Sequence, residues 1–296
     1  MPHSTDPPPG VIKAEVNYFL EPPAGEPYPI IYPGLVGSRR RKWDVRSVEV
    51  NDLRGRENEF EVDTNGFQVV AFATKEKEYD DDDRIKQEVY PEAEELIKKT
   101  TGATRVHIVN HICRRYSTQT AMDTIKDLPD DAEITLQHPA MAAHVDQSYT
   151  GAQWLLDFQT EQGNITHKPN TRWGIINIWH PLKPVKREPL AVCDARSVAD
   201  SDLKPVKIRM KRPKDGVMSE YDTELWYPVY KPEHKWYWPK GLTQDEALLI
   251  KCFDSKQDGR ARRAPHTAIQ TPEDEGPARE SIEIRCMVFW EDEEEK

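Results

Sequence analysis

The chain of 296 residues lacks the marks of several large protein classes. It has no Cys-x-x-Cys pair: Cys113, Cys193, Cys252 and Cys286 lie far apart. A thiolate zinc site needs closely spaced ligands and a secreted disulfide scaffold needs more cysteine, so buried inert thiols are expected instead. No apolar run approaches the ~20 residues that cross a bilayer. The opening Met-Pro-His-Ser-Thr-Asp-Pro-Pro-Pro has neither the basic end nor the apolar stretch of a secretory signal, and a cytoplasmic location is the expectation. Basic residues are outnumbered, 41 Lys and Arg against 52 Asp and Glu, giving a formal net charge of -11. That balance argues against a general nucleic-acid or anionic-membrane binder. Glycine is scarce, 14 against 24 prolines, so extended and turn-forming segments should outweigh long helices. Also absent are G-x-G-x-x-G, a Walker loop, G-x-S-x-G, H-E-x-x-H and any internal repeat.

What is present reads as a single domain over residues 1–296. Residues 1–35 are Pro-rich, ending in EPPAGEPYPIIYPG, and are expected to form an extended arm across the body. The basic run Arg39-Arg40-Arg41-Lys42 predicts a solvated loop rather than a nuclear signal. Two alternations in residues 45–75, VRSVEV and FQVVAFA, predict strands, and Asp80 to Asp83 an acidic loop. Pro91 should open a helix, PEAEELIKKTTG, that Gly102 closes. From Thr104 onward short apolar runs such as RVHIVNHIC, RWGIINIWHPL, EALLIKCFDS and SIEIRCMVFW are broken by Pro, Gly, Asp and Asn, with a short helix near Ala121–Lys126. This pattern predicts a mainly β fold with flanking helices, an antiparallel double sheet of jelly-roll type whose core spans residues 104–290. Residues 200–241 stand apart as a basic, Pro-rich excursion dense in Trp and Tyr. Three readings apply to it: aromatics packed on the body, a lid over an apolar pocket, or single-strand nucleic-acid binding, the last opposed by the overall charge. The aromatics of 226–238 are the candidate wall of a pocket.

Nine histidines are available for chemistry. His144-Val145-Asp146 places an imidazole and a carboxylate at i and i+2, on one side of an extended segment. A third histidine from a distant strand would complete a 2-His-1-carboxylate facial triad, the ligand set of non-haem Fe(II) oxygenases, with positions left for a bidentate co-substrate and O2. A His-x-acid triplet also arises by chance about once or twice in a chain of this composition. What accompanies it adds weight. Ala264-Pro265-His266-Thr267-Ala268 offers the third histidine, and Arg279-Glu280-Ser281 opens the last strand. A guanidinium fork and a serine hydroxyl there suit the distal carboxylate of 2-oxoglutarate. Arg285 competes with Arg279 for that role, and the adjoining serine favours Arg279. His107 and His111, four apart in a strand, should share one face as core or pocket wall; His180 and His234 read as ordinary, and Tyr116 could bring its hydroxyl to the pocket.

The segments HVDQS, RWGIINIWHPLKPVKREPLAVCDARSV, IKCFDS with APHTA, and ARESIEIRCMVF resemble fungal and bacterial 2-oxoglutarate oxygenases. That group includes the cephamycin 7α-methoxylase component, gibberellin desaturase-like proteins and the novofumigatonin-pathway meroterpenoid endoperoxygenase. The resemblance runs from about His107 to Phe289. It implies a double-stranded β-helix (cupin-like) core, Fe(II), 2-oxoglutarate and O2. It also implies His144, Asp146 and His266 as metal ligands and Arg279 and Ser281 as the co-substrate anchor. Arg172, Asn177 and Trp179 match its R-x-x-x-x-N-x-W segment, with either ligand contact or sheet packing as their role. The expected activity is hydroxylation, desaturation or endoperoxidation of a small apolar natural product such as a terpenoid in fungal secondary metabolism. A homodimer is left open as the assembly. Two rival readings keep the fold: a cupin-like iron dioxygenase without 2-oxoglutarate, and a non-catalytic interaction protein.

Overall fold

Period-two alternation along the last strand, Ser281–Glu294, explains how the molecule is layered. Ile282, Ile284, Cys286, Val288 and Trp290 point one way, and Ser281, Glu283, Arg285, Met287 and Phe289 the other. The first set is buried against helical side chains, while Met287 and Phe289 of the second join a cluster inside the barrel. Both faces are therefore covered, and the polar one is the inner one.

The computed structural model describes residues 10–214 and 217–295, so the first nine residues of the Pro-rich stretch lie outside the described residues. The strands are β1 (Val11–Tyr18), β2 (Asp44–Asp52), β3 (Phe67–Ala71), β4 (Arg105–Arg114), β5 (Thr171–Pro181), β6 (Leu190–Cys193), β7 (Leu203–Lys214), β8 (Val217–Pro228), β9 (Trp236–Trp238), β10 (Glu246–Asp254), β11 (His266–Ala268) and β12 (Ser281–Glu294). One five-stranded sheet has the order β3-β10-β5-β12-β4 and the other β1-β2-β9-β6-β11; β7 and β8 pair as a separate hairpin. The inner faces of the two sheets meet through Phe67, Trp179, Leu248 and Ile250 of the first and Leu190 and Val192 of the second. This is the double-stranded β-helix that the sequence predicts.

The outer face of the first sheet is closed by the helix Tyr90–Thr101. Ile85, Val89, Ala93 and Ile97 recur every four residues, which lines them along one helical face, and all four are buried with the apolar row of β12. Gly102, at φ 71°, terminates the helix as expected. Its start differs from expectation. Asp81 caps the amides of Asp83 and Arg84, and the acidic run becomes a first turn leading through a π-turn, Ile85–Val89, into the main helix. Carboxylates suit a helix start because unpaired amides gather there. Pro91 has no N–H to give to the ladder, so the wider turn just before it bridges the gap.

Two other expectations change. Part of the arm is built into the body: β1 pairs antiparallel with β2 from Val11 to Tyr18, burying Ala14, Val16 and Tyr18. The sheets thus recruit strands well before residue 104. In the 200–241 excursion, Trp236 and Trp238 form β9, between β2 and β6 in the second sheet. The Trp236 indole donates to the Tyr18 hydroxyl at 2.7 Å, so this aromatic pair is sheet core rather than pocket wall. Among the described residues no helix is long and apolar enough to cross a membrane.

Candidate active site

His144, Val145 and Asp146 are held as an extended segment from both sides. The backbone of His144 exchanges hydrogen bonds with His266 at 3.1 and 2.9 Å, and that of Val145 with Trp226 of β8 at 2.8 and 3.1 Å. The first pairing brings the two imidazoles together, ring centroids 4.5 Å apart. One ligand atom each from His144, Asp146 and His266 lies within 4.8 Å of the others. Nδ1–H of His144 donates to the Ala142 carbonyl at 2.7 Å and that of His266 to the Ala264 carbonyl at 3.2 Å, which leaves Nε2 of each ring as the nitrogen available to a metal; that of His144 lies 3.3 Å from Asp146. Burial, helped by the neighbouring His144, holds His266 down to about 4, so this ring is neutral near pH 7. Burial alone would lower His144 too, but Asp146 outweighs it and raises this histidine.

Asp146 sits in a web of partners. Asn177 of β5 donates to its Oδ2 at 2.7 Å, and Arg285 of β12 stands 3.3 Å from the same oxygen. Burial opposes the charge on Asp146, yet Arg285 and the two histidines prevail and keep the carboxyl well below its ordinary range. Glu283, two residues before Arg285 on the same face, accepts from Arg285 at 3.1 Å and from Asn177 at 3.3 Å. Asn177 and Arg285 face each other in register across β5 and β12, which is why both reach one carboxylate.

Arg279 and Ser281 lie further along the same interior. Arg279 is 4% exposed and forms no ion pair among the described residues; its one hydrogen bond is from Nη1 to the Glu188 carbonyl at 2.6 Å. Its guanidinium lies over the Trp179 ring at 5.0 Å, and its Nε has no partner. Burial, then the charge of Arg114, pushes Arg279 down to about 9. The buried Ser281 hydroxyl also lacks a partner. An unpaired cation and an unpaired hydroxyl, both desolvated, are costly unless a ligand satisfies them.

The remaining sequence candidates divide. A bulge in β4, opposite Arg285 and Cys286, puts His107 opposite Met287 and His111 opposite Ile284. The two histidines therefore face opposite ways, since one extra residue inverts the alternation. His111 binds Tyr90 at 2.9 Å and Asp82 at 3.0 Å on the helical side. Arg172 is structural: it joins Asp254, Asp63 and Glu293 and stacks on Trp290. Trp179 packs between the sheets beneath Arg279. Tyr116, at 48% exposed, is a surface side chain. Sequence reasoning did not single out Glu283 and left Asn177 undecided. The polar row Ser281, Glu283, Arg285 on an otherwise apolar strand was the available signal.

A family model described as "Oxidoreductase/YMDC permease-like domain" matches residues 16–289. The chain is 46% identical over 294 residues to the hydroxylase/desaturase efuI of Hormonema carpetanum, with 96% of each chain covered. It is 32% identical over 293 residues to the alpha-ketoglutarate-dependent dioxygenase phiK of a fungal species, covering 98% of this chain and all of the relative. In fold it is similar to the iron and alpha-ketoglutarate-dependent endoperoxidase NvfI, with a TM-score of 0.75, 23% identity, and 95% and 99% of the two chains covered.

Proposed function

The chain belongs to the family that joins these fungal hydroxylase/desaturases and alpha-ketoglutarate-dependent dioxygenases, an Fe(II)/2-oxoglutarate oxygenase of secondary metabolism, and we propose that His144, Asp146 and His266 hold its iron while Arg279 and Ser281 hold 2-oxoglutarate. The observation that carries the assignment is the pairing of two incomplete sites in one barrel. Three convergent ligand atoms, two of them imidazole nitrogens with their tautomers set by backbone carbonyls, suit a borderline divalent ion. Nearby, a desolvated guanidinium without a counter-ion and a serine hydroxyl without a partner suit a carboxylate.

Held by His144, Asp146 and His266, Fe(II) would supply, with 2-oxoglutarate and O2, the oxidising power for the substrate. The chain's own residues do the rest. Asn177 and Arg285 hold Asp146 ionised and correctly turned. The carbonyls of Ala142 and Ala264 hold the histidine rings. Arg285, already paired with Asp146 and Glu283, is committed elsewhere, which favours Arg279 as the co-substrate's cation. Trp226, paired with Val145, lies on the side of the segment away from His144 and Asp146, against Tyr149, and braces it from behind. The substrate is a small molecule with a largely apolar body. The free, buried thiols of Cys193, Cys252 and Cys286 support a cytoplasmic setting.

The test is coupled turnover. Purified protein should release succinate from 2-oxoglutarate only with added Fe(II), and His144→Ala should abolish release. Arg279→Gln should weaken 2-oxoglutarate binding by about 100-fold, the loss expected for a buried charge-assisted pair. Retained turnover in His144→Ala would show the triad assignment to be wrong.

A further inference from the structure

The basic run at residues 39–42 is not the solvated loop that its composition suggests. Arg40 is exposed and satisfied, by Asp130 at 2.6 Å and by the carbonyls of Ile125 and Leu128 at 2.5 and 2.7 Å. Arg39 and Arg41 on either side of it turn inward and are half-buried. Neither forms an ion pair among the described residues, and each keeps a buried Nε without a partner. Arg41 lies over the rings of Phe19 and Trp43, at 4.9 and 5.4 Å. Arg39 has no such aromatic support; its one contact is the Leu136 carbonyl at 3.4 Å.

Arg39 belongs to a larger cluster. Its guanidinium is pulled below the ordinary arginine range by burial and then by the charge of Arg114. Arg114, on β4, lies in register opposite Ser281, so it faces the same interior. It donates to the His138 carbonyl at 2.8 Å and comes within only 3.7 Å of Glu283. His138 is 6% exposed, and neither ring nitrogen has a partner. Burial, with the charges of Arg39, Arg114 and Arg279, holds it down to about 4, so it stays neutral at pH 7 and offers one N–H. The chain has no shortage of acids, at -11 overall, yet among the described residues only Glu283 approaches this cluster, and Arg285 already holds it.

The inward cations outnumber the anions already assigned to them. Glu283 and Asp146 are engaged by Arg285. The distal carboxylate of 2-oxoglutarate, on the reading above, takes Arg279 and Ser281. Arg39 and most of the capacity of Arg114 remain. We propose that Arg39, Arg114 and His138 form a second anion site beside the co-substrate's, and that it takes a carboxylate carried by the substrate. The flat N–H edges of two guanidinium groups and an imidazole match a planar carboxylate. The substrate class sharpens accordingly, from an apolar natural product to an organic acid with an apolar body. This inference rests on the 2-oxoglutarate assignment only for the role of Arg279.

The test uses full-length protein loaded with Fe(II) and 2-oxoglutarate under argon, where no turnover occurs. Adamantane-1-carboxylate and 1-adamantanemethanol, an acid and an alcohol on one apolar cage, are titrated by calorimetry. The acid should bind about tenfold or more tightly than the alcohol, the gain of charge-assisted hydrogen bonds in a dry site. Arg39→Gln should erase that preference, leave 2-oxoglutarate affinity unchanged, and leave the melting temperature equal or higher, because an unpaired buried charge opposes folding. Equal affinities in the unsubstituted protein, including no binding by either compound, overturn the proposal. So does an Arg39→Gln protein that melts lower or fails to fold, which would make Arg39 a structural residue. Displacement of 2-oxoglutarate by the acid also overturns it, since the acid would then occupy the co-substrate's site. Failure of 2-oxoglutarate itself to bind would instead overturn the preceding assignment, and the acid–alcohol comparison would stand without it.

Discussion

Asn177 shows how much of the site depends on one amide. Its Nδ2 donates to Asp146 and Glu283 at once, while its Oδ1 is buried without a partner. Asn177 is fully buried, so the amide sets the angle at which the carboxylate faces the two imidazoles. Asn177→Ala should therefore weaken divalent-metal affinity about 10- to 100-fold, the usual cost of losing an outer partner of a metal ligand. Co(II) titration followed by its d–d absorption would measure this. Affinity equal to that of the unsubstituted protein would show that Arg285 alone orients Asp146. Three of the four cysteines are the buried inert thiols expected, while Cys113 is partly exposed. Cys193, Cys252 and Cys286 are buried, and burial raises all three above the ordinary thiol range, so they are inert at neutral pH.

Among the elements, the β7–β8 hairpin has a second role beyond its aromatic content. β8 runs against the segment that carries His144 and Asp146 and against the helix that follows, Tyr149–Glu161. Trp226 pairs with Val145, and Glu224 accepts from the Ser148 amide at 3.0 Å through its carbonyl and from the Ser148 hydroxyl at 2.5 Å through its carboxylate. Ser148 in turn caps the helix by accepting from the Gly151 amide. The approach is so close that a Cβ on Gly151 would stand 1.9 Å from the Glu224 carbonyl oxygen. Backbone meets backbone there, so no rotamer relieves the overlap. Gly151→Ala should cost at least ~2 kcal/mol of stability, at the upper end of overpacking penalties, and should loosen metal binding by shifting residues 144–146. Urea unfolding and Co(II) titration would check both. An unchanged unfolding midpoint would mean that β8 yields easily and does not clamp the site.

Over the whole molecule, the two sheets are held by their shared apolar interior and by polar clips at the rim. Arg54, just beyond β2 of the second sheet, pairs with Glu246, at the start of β10 in the first, at 2.5 Å. The Arg54 guanidinium first, and the Thr243 amide and hydroxyl after it, lower Glu246 to about 2 despite partial burial. A carboxyl lowered in the folded state binds its proton more weakly there than in the unfolded chain. Its contribution to stability is therefore complete above the unfolded value of about 4.3 and fades as pH falls toward 2. Glu246→Gln should lower the melting temperature at pH 7 and make it less sensitive to acid between about pH 4.3 and 2. Differential scanning calorimetry across that range would decide it. A parallel pair of melting curves would show that the clip contributes nothing.

Sequence alone determined what depends on local pattern. The alternation in SIEIRCMVFW separated an apolar from a polar row, Gly102 marked the end of its helix, and His144-Val145-Asp146 offered a candidate ligand pair because an extended backbone throws i and i+2 to one side. Those signals survive because they need no knowledge of distant neighbours. Tertiary structure decided the rest. Only the pairing of β11 with the 144–146 segment brings His266 to its partners, and only a bulge in β4 parts His107 from His111. The count of scattered charges offered no hint that Arg39 and Arg41 turn inward while Arg40 turns out. Whether an arginine has a carboxylate beside it depends on contacts roughly 75 to 240 residues away along the chain, between Arg39 and Arg114 or Arg279, and such contacts leave no periodicity to read. The surplus of acids argued against a nucleic-acid surface, yet Arg114, Arg279 and Arg285 turn into the barrel.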